Sequence, residues 1–398
     1  MIIKRNGFEI ESSYASILAE YAIPHSFENR PGDTDNRATF QRDRDRIIHS
    51  ESFRKLMYKT QVFVNHEGDS FRTRLTHTLE VSQIARGVCK SLALNEDLAE
   101  AISLGHDLGH TPFGHAVEDF FNSKLECGFR HNEQSVRVAC TLETRNADNG
   151  GLQLSEEVLE GILKHTDSRE YPYFPHLNPK HSCSHLEGQI VAIVDTIAYT
   201  CHDLEDAIKS GIVYQSLKQN DVFKKAFKKI KEQISDTTGV EIDGEQYQGA
   251  YFIREIIHKF VVDLTDNTAK NLGDYGIKSL ADVKATNYKI ADLSAEYKEL
   301  LKIMGVFLVE HVYQSHMISI MDHKAVMVVE KMFERFMDNP KLLPPNWFSK
   351  YCNADDLIDP YSMMMNSKVR VICDYISCMT DRSALDEYER LTNPKIKL

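Results

Sequence analysis

The chain has 398 residues, and its 47 basic and 59 acidic side chains give a formal net charge of −12. A protein this acidic is a poor general partner for nucleic acid or anionic membranes, because both are polyanions. No apolar run approaches the length of a membrane span, so we expect a cytoplasmic protein without membrane contacts. The eight cysteines form no CxxC pair, a pattern typical of reduced thiols.

The predicted organisation is an arm followed by helices. Residues 1–42 are predicted to form an N-terminal arm, because residues 24–42 are rich in proline, glycine, aspartate and asparagine. Helical periodicity dominates after that point, and it predicts a helical core over residues 43–235. Residues 236–398 are predicted to form a helical C-terminal region that completes the site and supplies packing or oligomer contacts. Alternating strand patterns are rare, so the predicted fold class is all-α.

The first strongly periodic segment places a histidine on an apolar face. In residues 72–94, His77 shares a stripe with Val81, Ile84 and Val88, at steps of three and four positions. We therefore expect the segment to be a helix whose His77 side chain projects inward.

The next segment ends in a cluster of histidines beside a predicted break, "SLGHDLGHTPFGHAVED" at residues 103–119. We expect one helix to begin after the N-cap Asn95 and to end near Gly109. A second helix is predicted to begin at Pro112 with Thr111 as its N-cap, since proline suits the first helical position. Free backbone N–H groups at such a start attract anions, phosphate among them.

Titratable side chains surround this break. His110 lies in it, and His115 and Glu118 are predicted to share one face of the new helix. A histidine beside a carboxylate is suited to acid–base catalysis. The alternative is that His110 and His115 cap helix ends and that Glu118 complements the helix dipole.

The doublet His106–Asp107 needs further partners to bind a metal ion. His77 projects inward from its own helix, and Asp195 lies among apolar residues of a predicted helix over residues 186–208. A carboxylate buried there without a partner would cost on the order of several kcal/mol. Imidazole and carboxylate ligands suit Mn, Fe, Co, Ni, Zn or Mg. We therefore predict one divalent metal ion held by His77, His106, Asp107 and Asp195. The alternatives are hydrogen-bonded core histidines and pairing of Asp195 with a buried Arg or Lys.

A single His, a His–Asp doublet and a distant Asp form the pattern of the HD domain. Further segments resemble the bacterial deoxyguanosinetriphosphate triphosphohydrolase family: "RDRDRIIHSESFRKLMYKTQVF" (42–63), "RTRLTHTLEVSQIAR" (72–86), "HDLGHTPFGHAVE" (106–118), "HNEQS" (131–135) and "RVICDYISCMTDR" (370–382). The resemblance covers most of residues 40–210 and a patch near the C-terminus. It implies an HD fold and hydrolysis of a dNTP to the deoxynucleoside and inorganic triphosphate.

The resemblance also implies substrate-binding residues. Arg74 falls where the family has an arginine that contacts phosphate, and Gln61 matches a glutamine at the sugar. Tyr199 and Asp203 match a pair near the deoxyribose, and Tyr375 is placed near the sugar as well. The alternatives are a surface ion pair for Arg74 and simple packing for Tyr199 and Tyr375.

The same resemblance implies that His110, His115 and His131 face the α-phosphate and its leaving oxygen. An alkoxide is a poor leaving group, so a general acid should protonate it. Our hypothesis is that His115 donates this proton and is tuned by Glu118, with His131 as the competing candidate. The family has a vertebrate relative, the HD-domain dNTP triphosphohydrolase, which has its Glu and Gln one position nearer the histidine. The segment after His131 departs from that pattern, so a role for Glu133 stays open.

The partners implied by the resemblance are a homo-oligomer and, as in some relatives, a dNTP effector at a second site. The basic run "KKAFKKIKEQ" (224–233) is either a solvated helix face or a weak contact for single-stranded nucleic acid or an effector nucleotide. Two rival functions stay open. One is an HD phosphohydrolase of a monophosphate, cyclic nucleotide or alarmone, and the other is a non-catalytic nucleotide or nucleic-acid sensor. The preferred base, the native metal and the subunit number are not predicted.

Overall fold

The fold was determined as a computed structural model. It describes residues 3–5, 9–11, 37–62, 71–146, 149–166, 171, 174, 177, 183–210, 221–240, 249–286, 288–354, 357–358 and 365–396.

The protein is all-α, as the sequence predicts. The helices of the described residues are α1 (Thr39–Ile48), α2 (Glu51–Lys55), α3 (Arg74–Ser91), α4 (Glu96–Gly105), α5 (His115–Lys124), α6 (His131–Arg137), α7 (Glu156–Leu163), α8 (Leu186–Lys209), α9 (Asp221–Thr238), α10 (Gly249–Asp274), α11 (Leu280–Ala285), α12 (Ala295–Leu308), α13 (His316–Asp338), α14 (Pro345–Cys352), α15 (Lys368–Ser377) and α16 (Asp381–Thr392). None of these described helices combines the length and apolar character needed to cross a bilayer.

The named strands of the described residues form three short antiparallel pairs. They are β1 (Ile3–Arg5) with β2 (Glu9–Glu11), β3 (Thr144–Asn146) with β4 (Asn149–Gly150), and β5 (Leu357–Ile358) with β6 (Met365–Asn366). Most of the predicted N-terminal arm lies outside the described residues. The last residues of the predicted arm are helical, because α1 already begins at Thr39.

The chain divides into two compact units, each built from several stretches. The first unit comprises Met1–Ile17, Leu79–Ser103 and Ser182–Ser319, and the second comprises Leu18–Thr78, Leu104–His181 and Ile320–Leu398. The division predicted from sequence, at residues 42 and 235, stays a prediction.

In the first unit, α8 packs against α10 and α12, and α9 packs against α12. Asn95 is the N-cap of α4 as predicted, since its Oδ1 accepts from the backbone N–H of Leu98 at 3.0 Å. The buried face of α9 carries Phe227, Ile230 and Ile234. Between these residues, Lys228 and Lys229 are exposed and Lys231 is half-buried, so the basic run lies mainly on a solvated helix face.

In the second unit, one apolar cluster joins α5, α13, α15 and α16. Its largest members include Phe121, Phe129, Phe336, Ile372 and Ile376. Helices from the C-terminal stretch and the helix that begins at His115 therefore share one core.

The predicted end of α4 is wrong. The helix stops at Gly105, so His106 and Asp107 lie in the following turn. The hydroxyl of Ser135 donates to the His106 carbonyl at 2.6 Å and accepts from the Gly109 N–H at 2.8 Å. Because this side chain takes the place of backbone partners, the turn leaves the helix early.

The predicted start of α5 is also wrong. The helix begins at His115, with Gly114 as N-cap, and not at Pro112. Phe113 and Gly114 have φ of 60° and 72°, in the left-handed region that an α-helix cannot use. The Thr111 hydroxyl does not cap the helix and instead donates to the Gly114 carbonyl at 2.7 Å.

Candidate active site

Three of the four predicted metal ligands meet in the second unit. His77 comes from the first turn of α3, and His106 and Asp107 come from the turn after α4. All three are buried, and one ligand atom from each lies within 4.8 Å of the others. Asp195 is half-buried on α8 in the first unit, and its place as the fourth ligand stays a prediction.

The Asp107 carboxylate is surrounded by positive or donor groups. Arg74 Nη1 lies 3.1 Å from Oδ2, while Nε2 of His106 and Nε2 of His110 lie 3.4 and 3.3 Å from Oδ1. Burial disfavours the anion, but the charges of His106, Arg74 and His77 outweigh this and hold the Asp107 pKa well below its usual range. Asp107 is therefore ionised.

These side chains fit a divalent cation. Ligands bound at about 2.1 Å to one metal lie about 3 Å apart, and His106 Nε2 is already 3.4 Å from Asp107 Oδ1. Two imidazoles and an ionised carboxylate are a donor set that transition metals accept. The charge of a cation would also offset that of the buried carboxylate.

Glu118 holds two predicted catalytic histidines. Its Oε2 lies 2.9 Å from Nδ1 of His115, and its Oε1 lies 3.0 Å from Nδ1 of His131 and 2.8 Å from the backbone N of His131. Burial raises the pKa of Glu118, but the charge of His131 and the hydrogen bonds of both histidines lower it well below the usual range. The contact predicted between positions 115 and 118 is present, and the carboxylate is ionised.

His131 is held at both ring nitrogens. Nδ1 of His165 bonds the carbonyl of Ile162 at 2.7 Å, so that nitrogen donates and leaves Nε2 of His165 as an acceptor. His131 Nε2 lies 3.2 Å from this acceptor, while its Nδ1 faces Glu118. An imidazole that donates from both nitrogens is cationic. Burial lowers the pKa of His131, yet Glu118 outweighs this and raises it.

His165 was not among the residues predicted from the sequence. It follows α7 and lies 34 positions from His131. No spacing rule connects the two histidines, because a separate helix brings them together. A histidine directly after an apolar helical segment was the only available signal.

His110 and His115 differ in environment. His110 is buried and stacks on His131, with ring centroids 3.9 Å apart. Burial, together with the charges of Arg74 and His131, holds the His110 pKa well below its usual value, so the ring is neutral. Its Nδ1 is buried without a hydrogen bond among the described residues. The His115 side chain is instead 69% exposed.

Gln61 and Arg74 lie beside the start of α5. Thr60 pairs with Thr73 through an isolated β-bridge. A Cβ built on Gly114 would lie 3.4 Å from Arg74 Nη2 and 3.7 Å from the Gln61 carbonyl oxygen. The Gln61 side-chain oxygen is buried without a hydrogen bond within the described ranges. Arg74 is buried and paired with Asp107, so it is not a surface ion-pair residue.

Tyr375 packs against other aromatic side chains. Its ring lies 5.4 Å from those of Phe336 and Trp347, and its hydroxyl donates to Glu387 at 3.3 Å. A role at the sugar stays a prediction.

Tyr199 and Asp203 lie on α8 in the first unit. Asp203 accepts a short hydrogen bond from the Tyr313 hydroxyl. Tyr199 and Tyr313 line a cavity of about 670 Å³. Burial and the Asp203 charge raise the Tyr313 pKa well above its usual value, so the hydroxyl keeps its proton. Tyr313 was not predicted from the sequence, because its partner Asp203 is 110 positions away.

A buried ionic network fixes the helix that begins at His131. Arg137 Nη2 bonds Asp374 Oδ2 at 2.7 Å, and Arg370 Nε bonds Asp374 Oδ1 at 3.1 Å. Gln134 donates to the same carboxylate at 3.0 Å. Burial raises the Asp374 pKa, but the two arginines lower it below its usual value. The network ties α6 to α15.

Two parts of the chain match known domain families. Residues 74–200 match the HD domain, and residues 291–390 match the phosphohydrolase-associated domain. The first match contains all four predicted metal ligands, and the second contains Asp374. The fold and the His–Asp cluster therefore define an HD-domain protein.

Similar proteins cover nearly the whole chain. The deoxyguanosinetriphosphate triphosphohydrolase-like protein of Geobacter sulfurreducens is 42% identical over 369 residues, which cover 90% of each chain. The proteins with the same description from Rickettsia felis and Geobacter metallireducens are 41% and 40% identical; they cover 90% and 98% of this chain and 92% and 98% of their own. The chain belongs to this family of deoxyguanosinetriphosphate triphosphohydrolase-like proteins, and its HD domain makes it a phosphohydrolase.

Proposed function

We propose that the protein hydrolyses a dNTP, dGTP or a broader set, to the deoxynucleoside and inorganic triphosphate, with one divalent metal ion per site. The observation that carries the proposal is the position of the His77–His106–Asp107 cluster beside Arg74 and the Glu118 histidines, all in the second unit. The descriptions of the relatives support a nucleoside triphosphate as substrate.

His77, His106 and Asp107 would hold the metal, with Asp195 as the predicted fourth ligand. A bound ion there supplies Lewis acidity at the α-phosphate and lowers the pKa of water. Arg74 adds a fixed positive charge that favours an anionic substrate. His110 is proposed to face the α-phosphate: its Nδ1 is buried without a hydrogen bond among the described residues, and in the tautomer that carries the proton there it would donate to a phosphate oxygen.

We infer that His115 is the general acid. A water molecule attacks the α-phosphorus and releases a proton to solvent, so that its oxygen stays on the phosphorus. The bond to the 5′ oxygen breaks, and inorganic triphosphate separates from the deoxynucleoside. The 5′ oxygen takes its proton from Nε2 of His115, which later regains one from solvent. Glu118 holds Nδ1 of this ring, and the exposure of the ring suits contact with a substrate. His131 is less suited, because Glu118 and His165 occupy its two nitrogens.

The other functional predictions rest on the family. Gln61, Tyr199, Asp203 and Tyr375 are proposed to contact the sugar. A cytoplasmic homo-oligomer and a dNTP effector are part of the same proposal. A weak contact with single-stranded nucleic acid would use the exposed lysines of α9.

The test is product analysis. The full chain is incubated with each dNTP and either Mn or Mg, and the products are separated by chromatography. Equal amounts of deoxynucleoside and triphosphate are expected, and Asp107→Ala should abolish both. Orthophosphate or diphosphate as product would favour the rival HD phosphohydrolase, and binding without turnover would favour the sensor.

A further inference from the structure

We propose that Asp381 and Lys59 are positioning residues that hold the turn between His110 and His115 in its working conformation. The inference deepens the proposed function and rests on it. All four residues belong to the second unit.

The Asp381 carboxylate is shared between two loops. Its Oδ1 accepts from the backbone N–H of Phe113, and its Oδ2 accepts from that of Thr60, each at 2.9 Å. Phe113 lies between His110 and His115, and Thr60 precedes Gln61. Asp381 is 5% exposed, so water does not readily replace it as an acceptor. One carboxylate therefore sets the separation of two loops that carry predicted substrate contacts.

Capping of its own helix does not account for this carboxylate. The N-terminus of α16 is already capped by Thr380, whose Oγ1 accepts from the Ser383 N–H at 3.1 Å. The Asp381 oxygens instead bond residues that lie 268 and 321 positions earlier in the chain.

The turn needs an external restraint because its backbone is strained. Phe113 has φ of 60°, a conformation unfavourable for a bulky side chain. Such a residue keeps this conformation only when its surroundings impose it. The Asp381 bond fixes the Phe113 N–H from outside the turn, and the Thr111–Gly114 bond closes the turn from within.

Lys59 fixes the other end of the turn. Its buried ammonium donates to the His110 carbonyl in a short contact and to the Ser377 carbonyl at 2.9 Å. Ser377 ends α15, and Asp381 begins α16. The short segment between these helices thus binds the turn at two points, through Lys59 and through Asp381.

The experiment compares Asp381→Ala, Asp381→Asn and Lys59→Met with wild type. Misplacement of catalytic groups by about 1 Å can cost about 100-fold. We expect kcat to fall about 10- to 100-fold in Asp381→Ala, with metal content unchanged. Asp381→Asn keeps the shape and one acceptor oxygen, so its kcat should lie between those of Asp381→Ala and wild type.

The matched control is Asp282→Ala in the first unit. Asp282 Oδ2 also accepts from two backbone N–H groups, those of Lys278 and Ser279, each at 2.9 Å. It lies outside the unit that holds the His–Asp cluster. A merely structural role for Asp381 would give the two alanine variants the same kcat.

Hydrogen exchange of residues 110–116 provides a second readout that needs no turnover. Faster exchange in Asp381→Ala and Lys59→Met, but not in Asp282→Ala, is expected. Unchanged exchange, or wild-type kcat in both Asp381 variants, would overturn the inference. Wild type that hydrolyses no dNTP would defeat the proposed function alone, and the exchange comparison would then decide the inference.

Discussion

Glu118 bonds His115 and His131 at the same time, with Nδ1 to carboxylate distances of 2.9 and 3.0 Å. One histidine is exposed and the other is largely buried. The shared carboxylate holds both the proposed general acid His115 and the buried His131. We therefore expect both the stability and the activity of the second unit to depend on Glu118.

The first prediction concerns the pH dependence of stability. The Glu118 pKa is lowered in the folded protein, so its contribution is present above its ordinary value of 4.5 and is lost as pH falls through the folded value. The His131 pKa is raised, so its contribution is present below its ordinary value of 6.5 and is lost as pH rises through the folded value. The contact should therefore stabilise most between these two values.

Urea unfolding of wild type and Glu118→Gln, in chelator, measures this window. We expect Glu118→Gln to lower the free energy of unfolding by about 2 kcal/mol at pH values between the two ordinary pKa values, and by less at lower or higher pH. Asp119→Asn changes an exposed acid on the same turn and should have little effect at any pH. A difference in unfolding free energy between wild type and Glu118→Gln that grows steadily with pH would contradict the assignment of His131 as the cation.

The second prediction separates the two candidate acids. His115→Ala should lower kcat by about 100- to 10,000-fold, since it removes the proton donor, and it should leave metal content intact. His49→Ala changes an exposed histidine of the same unit and serves as control. Activity of His115→Ala close to that of wild type, with loss in His131→Ala, would move the role of acid to His131.

The sequence predicted the helical class and the inward-facing His77, because both depend on local periodicity. It also predicted the contact between His115 and Glu118, which needs only one helical turn. Its predicted helix ends around the histidines were wrong. The side chain of Ser135, which is distant in sequence, and the left-handed backbone at Phe113 set those ends. Rules for proline and helix caps use only neighbouring residues, so they predict neither the Ser135 contact nor the left-handed backbone at Phe113.

Residues that contact the site from distant parts of the sequence were also not predicted. His165, Tyr313 and Asp381 each act on a residue 34 or more positions away. Their types alone do not distinguish them from other histidines, tyrosines and aspartates. Family resemblance named the residues expected to touch substrate, but not the residues that hold them.

The third prediction concerns the buried pair of Asp107 and Arg74. Asp107→Ala removes a predicted metal ligand and leaves the Arg74 guanidinium, 2% exposed, without its carboxylate. We expect loss of the metal and, in chelator, a fall of about 3 kcal/mol in the free energy of unfolding. Elemental analysis after dialysis and urea unfolding measure the two effects.

Glu96→Ala is the control, since it removes an 18% exposed carboxylate that lies 3.5 Å from the exposed Arg86, and it should cost less than about 1 kcal/mol. Full metal content in Asp107→Ala would contradict the ligand assignment.

The fourth prediction concerns the close approach of α6 to the turn after the His–Asp doublet. A Cβ added at Gly109 would lie 2.1 Å from the Ser135 N and 2.5 Å from the His131 carbonyl oxygen. Both are backbone atoms of a helix that the Asp374 network holds in place, so neither moves easily. Gly109→Ala should therefore push His131 away from Glu118, with a cost of about 2 kcal/mol or more.

Gly150→Ala is the matched control, because nothing lies within 4 Å of a Cβ added there among the described residues. Urea unfolding should separate the two alanine variants, and Gly109→Ala should also lose activity at temperatures where it remains folded. Equal stability of the two variants would mean that α6 can shift freely. In that case contact with this turn would not fix the position of His131.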